Sequence, residues 1–496
     1  MVQHFRFFTN RNRRQSLLKA LGGTVLLTSA VVTGAVLLLR QLGALEGAEL
    51  SAYDTLMQLR QTNDFENRLL VVGISETDIQ TRNEFPIEDG TLAQLLERLL
   101  ENQPRAIGID IARDVPQGNN RDALLQILEE SDLIAATCVL SSKEEPGLAP
   151  PPGVPDDRIG FADLPQDRLG VIRRNTLVST PDISDQPIVK PSLCSDPNSQ
   201  PLSLSLLLSL MYLEREGITA TEAESGDIQI GSTIFHRLSP NAGGYHNEDV
   251  VDYQILLNYG GLESIRQVTL TDVLENRIDP NWVRDRVVLI GYTSQTVKDL
   301  FFTPLGGDAA ERETFMPGVV IHAHATSQIL SAVLDQRPLI WYWAEGVEMV
   351  WILGWAVVGG VVAWSTRKTL VLVGSEIAAL GVLYGICYLI FLNSGWVPLV
   401  PPAIALVISA VGVIVVDRAN KGGYTQAIYE QVRDQVKVVL KPKIEIDQEK
   451  RAKQVSEITE TGYFQDLMQR AKTIREKRAT EENTGFPKSP KPPEEG

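Results

Sequence analysis

A few charged residues in the middle of this sequence are of the type and setting that could handle a ligand. Asp110 lies in the apolar run Ala-Ile-Gly-Ile-Asp-Ile, and open α/β sheets place ligands at the carboxyl ends of such strands. Arg173 and Arg174 are adjacent, and guanidinium groups clamp carboxylates or phosphates through paired hydrogen bonds. Asp299 follows the apolar run Val287–Tyr292 by a short loop. Each of these four has a structural alternative, an internal salt bridge or a turn cap. Asp54 and Arg60 read as a scaffold pair.

Other chemistry is thinly represented. There is no glycine loop ending in Lys-Ser/Thr, no paired-cysteine zinc spacing and no His-Glu-x-x-His helix. Of the five histidines, His322 and His324 form the close pair. Residues two apart on a helix point to different faces, so these two do not share a metal. No catalytic residue, metal or cofactor is expected. Of the three cysteines, Cys387 lies in an apolar run, whereas Cys138 and Cys194 fall in the middle region. Those two are the pair an oxidising compartment would join. A bridge and two buried thiols both stay open, because a disulfide demands a specific geometry.

The elements that must position these residues alternate along the chain. Leu69–Ile74, Ala106–Ile111, Leu133–Leu140, Tyr253–Tyr259 and Val287–Tyr292 read as strands. Gly43–Arg60, Thr91–Leu100, Ala123–Leu128, Leu202–Leu213 and Val319–Leu334 carry apolar positions at helical spacing. This alternation predicts one α/β domain with a mixed or parallel sheet. The formal net charge of −16 concentrates in it. Such a surface suits solubility, not nucleic acid, which calls for clusters of Lys and Arg.

Long apolar runs flank this domain. Residues 20–40, 344–364, 369–392 and 397–416 are each near the ~20 residues that cross a bilayer as a helix. The first is longer than the ~7–15-residue apolar core of a cleaved signal peptide, so it reads as an anchor. Arg11, Arg13, Arg14 and Lys19 precede the first run, Arg367 and Lys368 separate the second from the third, and Arg418 follows the fourth. Positive charge stays on the cytoplasmic side. Both termini (1–19 and 417–496) are therefore expected in the cytoplasm, with residues 41–343 outside a plasma (inner) membrane. Trp341, Tyr342, Trp343 and Trp396 fit an aromatic belt at the outer interface. Gly346, Gly354, Gly359 and Gly360 would allow close helix contacts. Glu376, inside the third run, is either a functional carboxylate or a protonated group bonded to a neighbouring helix.

The order of motifs resembles the second type of CHASE domain, a sensory domain associated with cyclases and histidine kinases, and most closely its cyanobacterial members. The matching residues are Tyr53-Asp54 with Leu59-Arg60, Leu70–Ile74, Pro104–Asp110, Gly160–Asp163, Gly170–Arg174, Asn258–Gly261, Asp285–Gly291, Asp299 and Met316–His324. The resemblance implies an extracytoplasmic sensor with an output domain after the last helix. The stretch after Asp417 is shorter than 80 residues, whereas a kinase or cyclase needs roughly 100–250. Tyr424–Arg478 reads as polar and helical, and 483–496 as disordered.

The expectation is a membrane-bound sensor without enzymatic activity. It would bind a small molecule, a peptide or an envelope component, contact membrane lipid and no nucleic acid, and act through a separate cytoplasmic signalling protein. A homodimer fits the commonest oligomeric symmetry. The alternatives are a structural or assembly factor of the envelope and, behind it, an extracytoplasmic enzyme using Asp110 and Asp299.

Overall fold

The computed structural model describes residues 8–60, 65–168, 170–306, 315–366, 368–422 and 462–481. The chain divides at Asp417 into two compact units. The first opens with helix α1 (Phe8–Gln41), which is followed at once by α2 (Glu46–Leu59). The α/β domain then runs β1 (Glu66–Ile74), α3 (Glu76–Arg82), α4 (Asp89–Glu101), β2 (Ala106–Asp110), α5 (Arg121–Glu130), β3 (Ile134–Cys138), β4 (Ile159–Phe161), β5 (Arg174–Val178), β6 (Leu202–Ser203) and α6 (Leu204–Glu214). Strands β7 (Ala220–Glu222), β8 (Ile228–Ile230) and β9 (Thr233–Phe235) form a separate small sheet. Next come β10 (Tyr253–Leu256), β11 (Ile265–Thr269), α7 (Leu270–Leu274), β12 (Val287–Tyr292), the hairpin-like pair β13 (Leu300–Phe301) and β14 (Met316–Pro317), and α8 (Gly318–Leu334). Strand β15 (Trp341–Tyr342) leads into α9 (Glu345–Ser365) and α10 (Thr369–Leu392), and β16 (Gly395–Trp396) precedes α11 (Val400–Gly422).

The main sheet has nine strands in the order β10-β5-β6-β4-β3-β2-β12-β1-β11. From β6 to β11 every neighbouring pair is parallel, and β5 alone runs against its neighbours. The apolar runs are continuous because both faces are covered. Leu70, Val72 and Ile74 pack with Ile107, Ile109, Val288 and Ile290 under α4, α5 and α7. Leu69, Val71 and Leu289 face the other way, against α6, α8 and the apolar side of α2. Glycine sets how close two of these helices come. A Cβ on Gly108 would stand 2.6 Å from Leu208 of α6, and one on Gly291 2.6 Å from Val319 of α8.

Four helices are long and apolar enough to cross a membrane: Gly23–Gln41, Glu345–Ser365, Thr369–Leu392 and Val400–Asp417. Val32 and Val36 of α1 pack with Ile352 and Ala356 of α9 and Ala405 of α11. Only two of the four glycines expected at close contacts serve there. A Cβ on Gly359 would overlap the backbone of Leu406, and one on Gly360 would meet Val25 and Ser409, whereas Gly346 and Gly354 have open space beside them. Both carboxyl oxygens of Glu376 are buried without a hydrogen-bond partner, so the bond to a neighbouring helix considered for it is not made. In the second unit, α12 (Gly462–Glu481) is described. Leu169, Arg367, residues 1–7 and most of the tail expected to be helical or disordered lie outside the described residues.

Candidate functional site

Two buried polar clusters hold the residues singled out by sequence. The first gathers at the carboxyl ends of the parallel strands. Asp110 closes β2 with a side chain 9% exposed, and its Oδ1 lies 3.9 Å from Nε2 of His322 on α8. The same ring nitrogen is 3.2 Å from the carbonyl oxygen of Ala162, just after β4. A nitrogen that faces a carbonyl carries the hydrogen, so Nε2 donates and Nδ1 is left as an acceptor. Nδ1 is buried and has no partner. Asp299 comes down over the first turn of α8, where a Cβ on Gly318 would stand 2.8 Å from its Oδ2. The amino end of a helix favours such an anion. Asp163, after β4, accepts a 2.9 Å hydrogen bond from the backbone N–H of Leu140.

Burial dominates the electrostatics of this cluster. It pushes the Asp110 carboxyl up to about 7. Burial, reinforced by the charge of Asp110 and opposed by His322, raises Asp299 to about 6. Asp163 also rises to about 6 through burial, with the Leu140 N–H pulling the other way. Burial lowers His322, against the pull of Asp299. Among the described residues no Lys or Arg forms an ion pair with any of these three carboxylates. Nor is any group of three or more His, Cys, Asp or Glu arranged to hold a metal ion there. The cluster is built to exchange protons near neutrality, or to accept a positively charged or hydrogen-bond-donating group.

The second cluster contains Arg173 and Arg174. Arg173 holds Asp54 of α2 through Nε and Nη2 at 2.7 and 2.6 Å, and Asp167 through Nη1 at 2.7 Å. Arg174 reaches Asp167 at 2.9 Å, Glu248 at 2.7 Å and Gln254 at 2.6 Å. The Tyr245 hydroxyl donates to Asp167 at 2.9 Å. Both arginine side chains are at most 3% exposed. As ligand clamps they would first have to abandon these partners, so the geometry is that of the internal salt bridge. Asp54 pairs with Arg173, not with Arg60. Arg60 instead donates to the side-chain oxygen of Asn258 and lies 4.8 Å over the Phe391 ring.

This second cluster adjoins an interlock between the domain and the membrane helices. Trp396, in the link between α10 and α11, is 1% exposed. Its ring sits 4.7 Å from Tyr53 and 5.8 Å from Tyr245, centroid to centroid. It is therefore a core residue of the α/β domain and not part of an exposed aromatic belt, whereas Trp341 is 41% exposed. Gly243, at φ 57°, leaves room for the indole ring, which a Cβ there would overlap. Glu49 of α2 accepts from the backbone N–H groups of Leu399 at 2.9 Å and Val400 at 2.8 Å. A carboxylate from one helix thus caps the amino end of another, satisfying donors that α11 cannot satisfy itself. At the end of α1, Arg40 pairs with Glu348 of α9 and donates to the carbonyl of Gly243 at 2.7 Å.

Cys138, at the end of β3, is disulfide-bonded to Cys194, with Cα atoms 6.3 Å apart. His322 and His324 face apart: the latter packs 5.4 Å from the Tyr259 ring. Sequence reading gave no role to Asp163, Asp167, Glu49, Tyr245 or Glu248. The first two lie within or beside recognised motifs. Nothing in the sequence marks Glu49 as a cap for a helix some 350 positions away.

A family model described as the CHASE2 domain matches residues 31–361. No curated protein and no solved structure matches the chain. The matched stretch contains both polar clusters and the Cys138–Cys194 bridge, and it ends before Trp396.

Proposed function

The chain belongs to the CHASE2 domain family, whose domain is sensory and extracytoplasmic, and on that premise we propose a sensor that relays a stimulus to a separate cytoplasmic protein. The stimulus is a small molecule, a peptide or an envelope component. It is received at Asp110, Asp163, Asp299 and His322, where no Lys or Arg among the described residues pairs with the largely covered carboxylates. The relay is the interlock. Helix α2 carries Tyr53, Asp54 and Glu49, and so bears at once on Trp396, on Arg173 and on the start of α11. The seating of Trp396 inside the domain is the observation that carries this reading, because the domain cannot change shape around it without moving two membrane helices.

The distribution of charge supports the orientation. The loop Asn393–Trp396 has no Lys or Arg, whereas Lys368 and Arg418 flank the opposite ends of the helices. On this reading both termini are cytoplasmic and the membrane is the plasma membrane.

The test is photocrosslinking from α12 of the full chain in native membranes, with and without Trp396→Ala, at matched amounts of folded protein. Recovery of a cytoplasmic signalling protein, with a yield that changes several-fold in the variant, supports the relay. Recovery of no cytoplasmic protein, or an identical yield from both chains, overturns it.

A further inference from the structure

A cavity of about 780 Å³ opens where the α/β domain meets the start of α9. None of Asp110, Asp163, Asp299, Arg173 or Arg174 lines it. Its walls are Ile234 of β9, Leu238, Leu256 of β10, and the stretch Leu339–Trp341 that leads into α9. Exposed His236 and Gln336 also line it. Sites of ~300–1,000 Å³ with apolar walls and a few polar groups are typical for small organic ligands.

The position of the cavity decides which ligand fits. Trp341, 41% exposed, lines it, and α9 begins four residues later at Glu345 as a helix of membrane-spanning length. Trp and Tyr at such a junction sit at the level of the lipid headgroups. The apolar wall therefore continues into the outer boundary of the bilayer. A hydrocarbon chain leaving the leaflet exchanges one apolar environment for another along these walls, and its polar end stays at the rim, where Ser232, Ser239 and Arg337 also line the cavity.

The wall is held in place by specific bonds. The Tyr342 hydroxyl accepts from the backbone N–H of Ser239 at 3.2 Å and lies 3.4 Å from its Oγ. The Trp341 indole donates to the carbonyl of Asn393 at 3.1 Å. Thr233 donates to the carbonyl of Ala332 at 2.9 Å. These bonds join the small sheet, the end of α8 and the strap before α9 around a preserved space.

We propose that this cavity binds a lipid-derived amphiphile with a single long acyl chain, drawn from the outer leaflet. Its chain lies along Ile234, Leu238 and Leu256, and its polar end rests beside His236 and Gln336. An occupant presses on Trp341 and Tyr342. These residues pair with Gly395 and Trp396, so occupancy acts on the same strap that holds Trp396. The binding itself stands apart from the relay reading, and holds even if no cytoplasmic protein responds.

The test uses the full chain in lipid nanodiscs and a fatty acid carrying a diazirine near its methyl end. Light-induced adducts are mapped by peptide mass. Adducts on residues 232–239 and 336–342 that fall about tenfold under excess palmitate are expected, with adducts on lipid-facing α10 unaffected. Ser232→Trp and, separately, Leu339→Trp fill the space and should abolish the competed labelling while leaving α10 labelled. Labelling of α10 without any at the cavity overturns the proposal, as does cavity labelling that palmitate does not reduce. Because competition in the unaltered protein is decisive, failure of either variant to fold does not shelter the idea.

Discussion

The two buried polar clusters of the α/β domain use the same residue types and behave in opposite ways. Around Arg173 and Arg174, acids and guanidiniums are paired and nearly every donor is engaged. Around Asp110, three carboxylates and a histidine share a site where no guanidinium among the described residues pairs with them. The arginine cluster is the more deeply buried of the two, yet it is the one whose charges are matched. What differs is compensation. A paired cluster loses stability when any member is removed. An uncompensated one sits at raised free energy while charged, and it relaxes when protonated or when a ligand supplies the missing partner. One cluster ties α2 to the sheet, and in the other no Lys or Arg among the described residues pairs with a carboxylate.

The strongest way to break this contrast is Arg173→Ala. It leaves Asp54 without its partner while Asp167 keeps only Arg174 and Tyr245, and the loss should be about 3–5 kcal/mol in thermal or denaturant unfolding of the purified chain. A loss under about 1 kcal/mol would mean the pairing is not what holds α2 in place. Trp396→Ala empties a site between Tyr53 and Tyr245. A cost of about 3 kcal/mol is expected, together with faster proteolysis in the link between α10 and α11.

Asp110→Asn should act with the opposite sign. The folded Asp110 carboxyl stands near 7 against about 4 in the unfolded chain. The folded state therefore binds more protons between those values, and stability falls as pH rises from about 4 to about 7. Asn removes this fall. The variant should gain up to about 4 kcal/mol at pH 8 and nothing below about pH 4, read from melting temperatures across pH. His322, lowered by burial, works in reverse: its contribution is lost as pH falls through about 6.5. An Asp110→Asn profile parallel to that of the unaltered chain would show that the cluster is compensated after all.

Glu49→Gln is the mildest test. The Leu399 and Val400 N–H groups donate to separate oxygens of Glu49, so the single oxygen of Gln keeps one of the two bonds and the charge that complements the end of α11 is lost. About 1 kcal/mol is expected, measured as faster hydrogen exchange at those two amides.

Much of the scaffold was legible in the sequence. The run Val287–Tyr292 is β12, and the helical spacing around Leu92, Leu95, Leu96 and Leu99 is α4. Both signals are local, since an element packed on one side or both must repeat apolar residues at its own period. Elements too short to show a period were missed. Strands β7 to β9 have three residues each, and β7 is wholly exposed. Helices α3 and α7 open on capping boxes at Ser75 and Thr269, a signal confined to four positions. Trp396 was misplaced for a related reason. A tryptophan at the end of an apolar helix carries the same sequence signature whether it meets lipid or a pocket in its own protein.

The sequence by itself determined the order of the chain: an acidic α/β domain between one apolar helix and three, with Asp110, Arg173, Arg174 and Asp299 set in it. Periodicity and charge record whether a residue is covered, and they do so within a few positions. They do not record what covers it. That Arg173 is matched across 119 positions by Asp54, that Glu49 caps α11 and that Asp110 faces His322 with no Lys or Arg partner among the described residues were decided only by the tertiary structure. Pairing depends on which distant elements the packed sheet brings together, and a charge reads the same in the sequence with or without its partner.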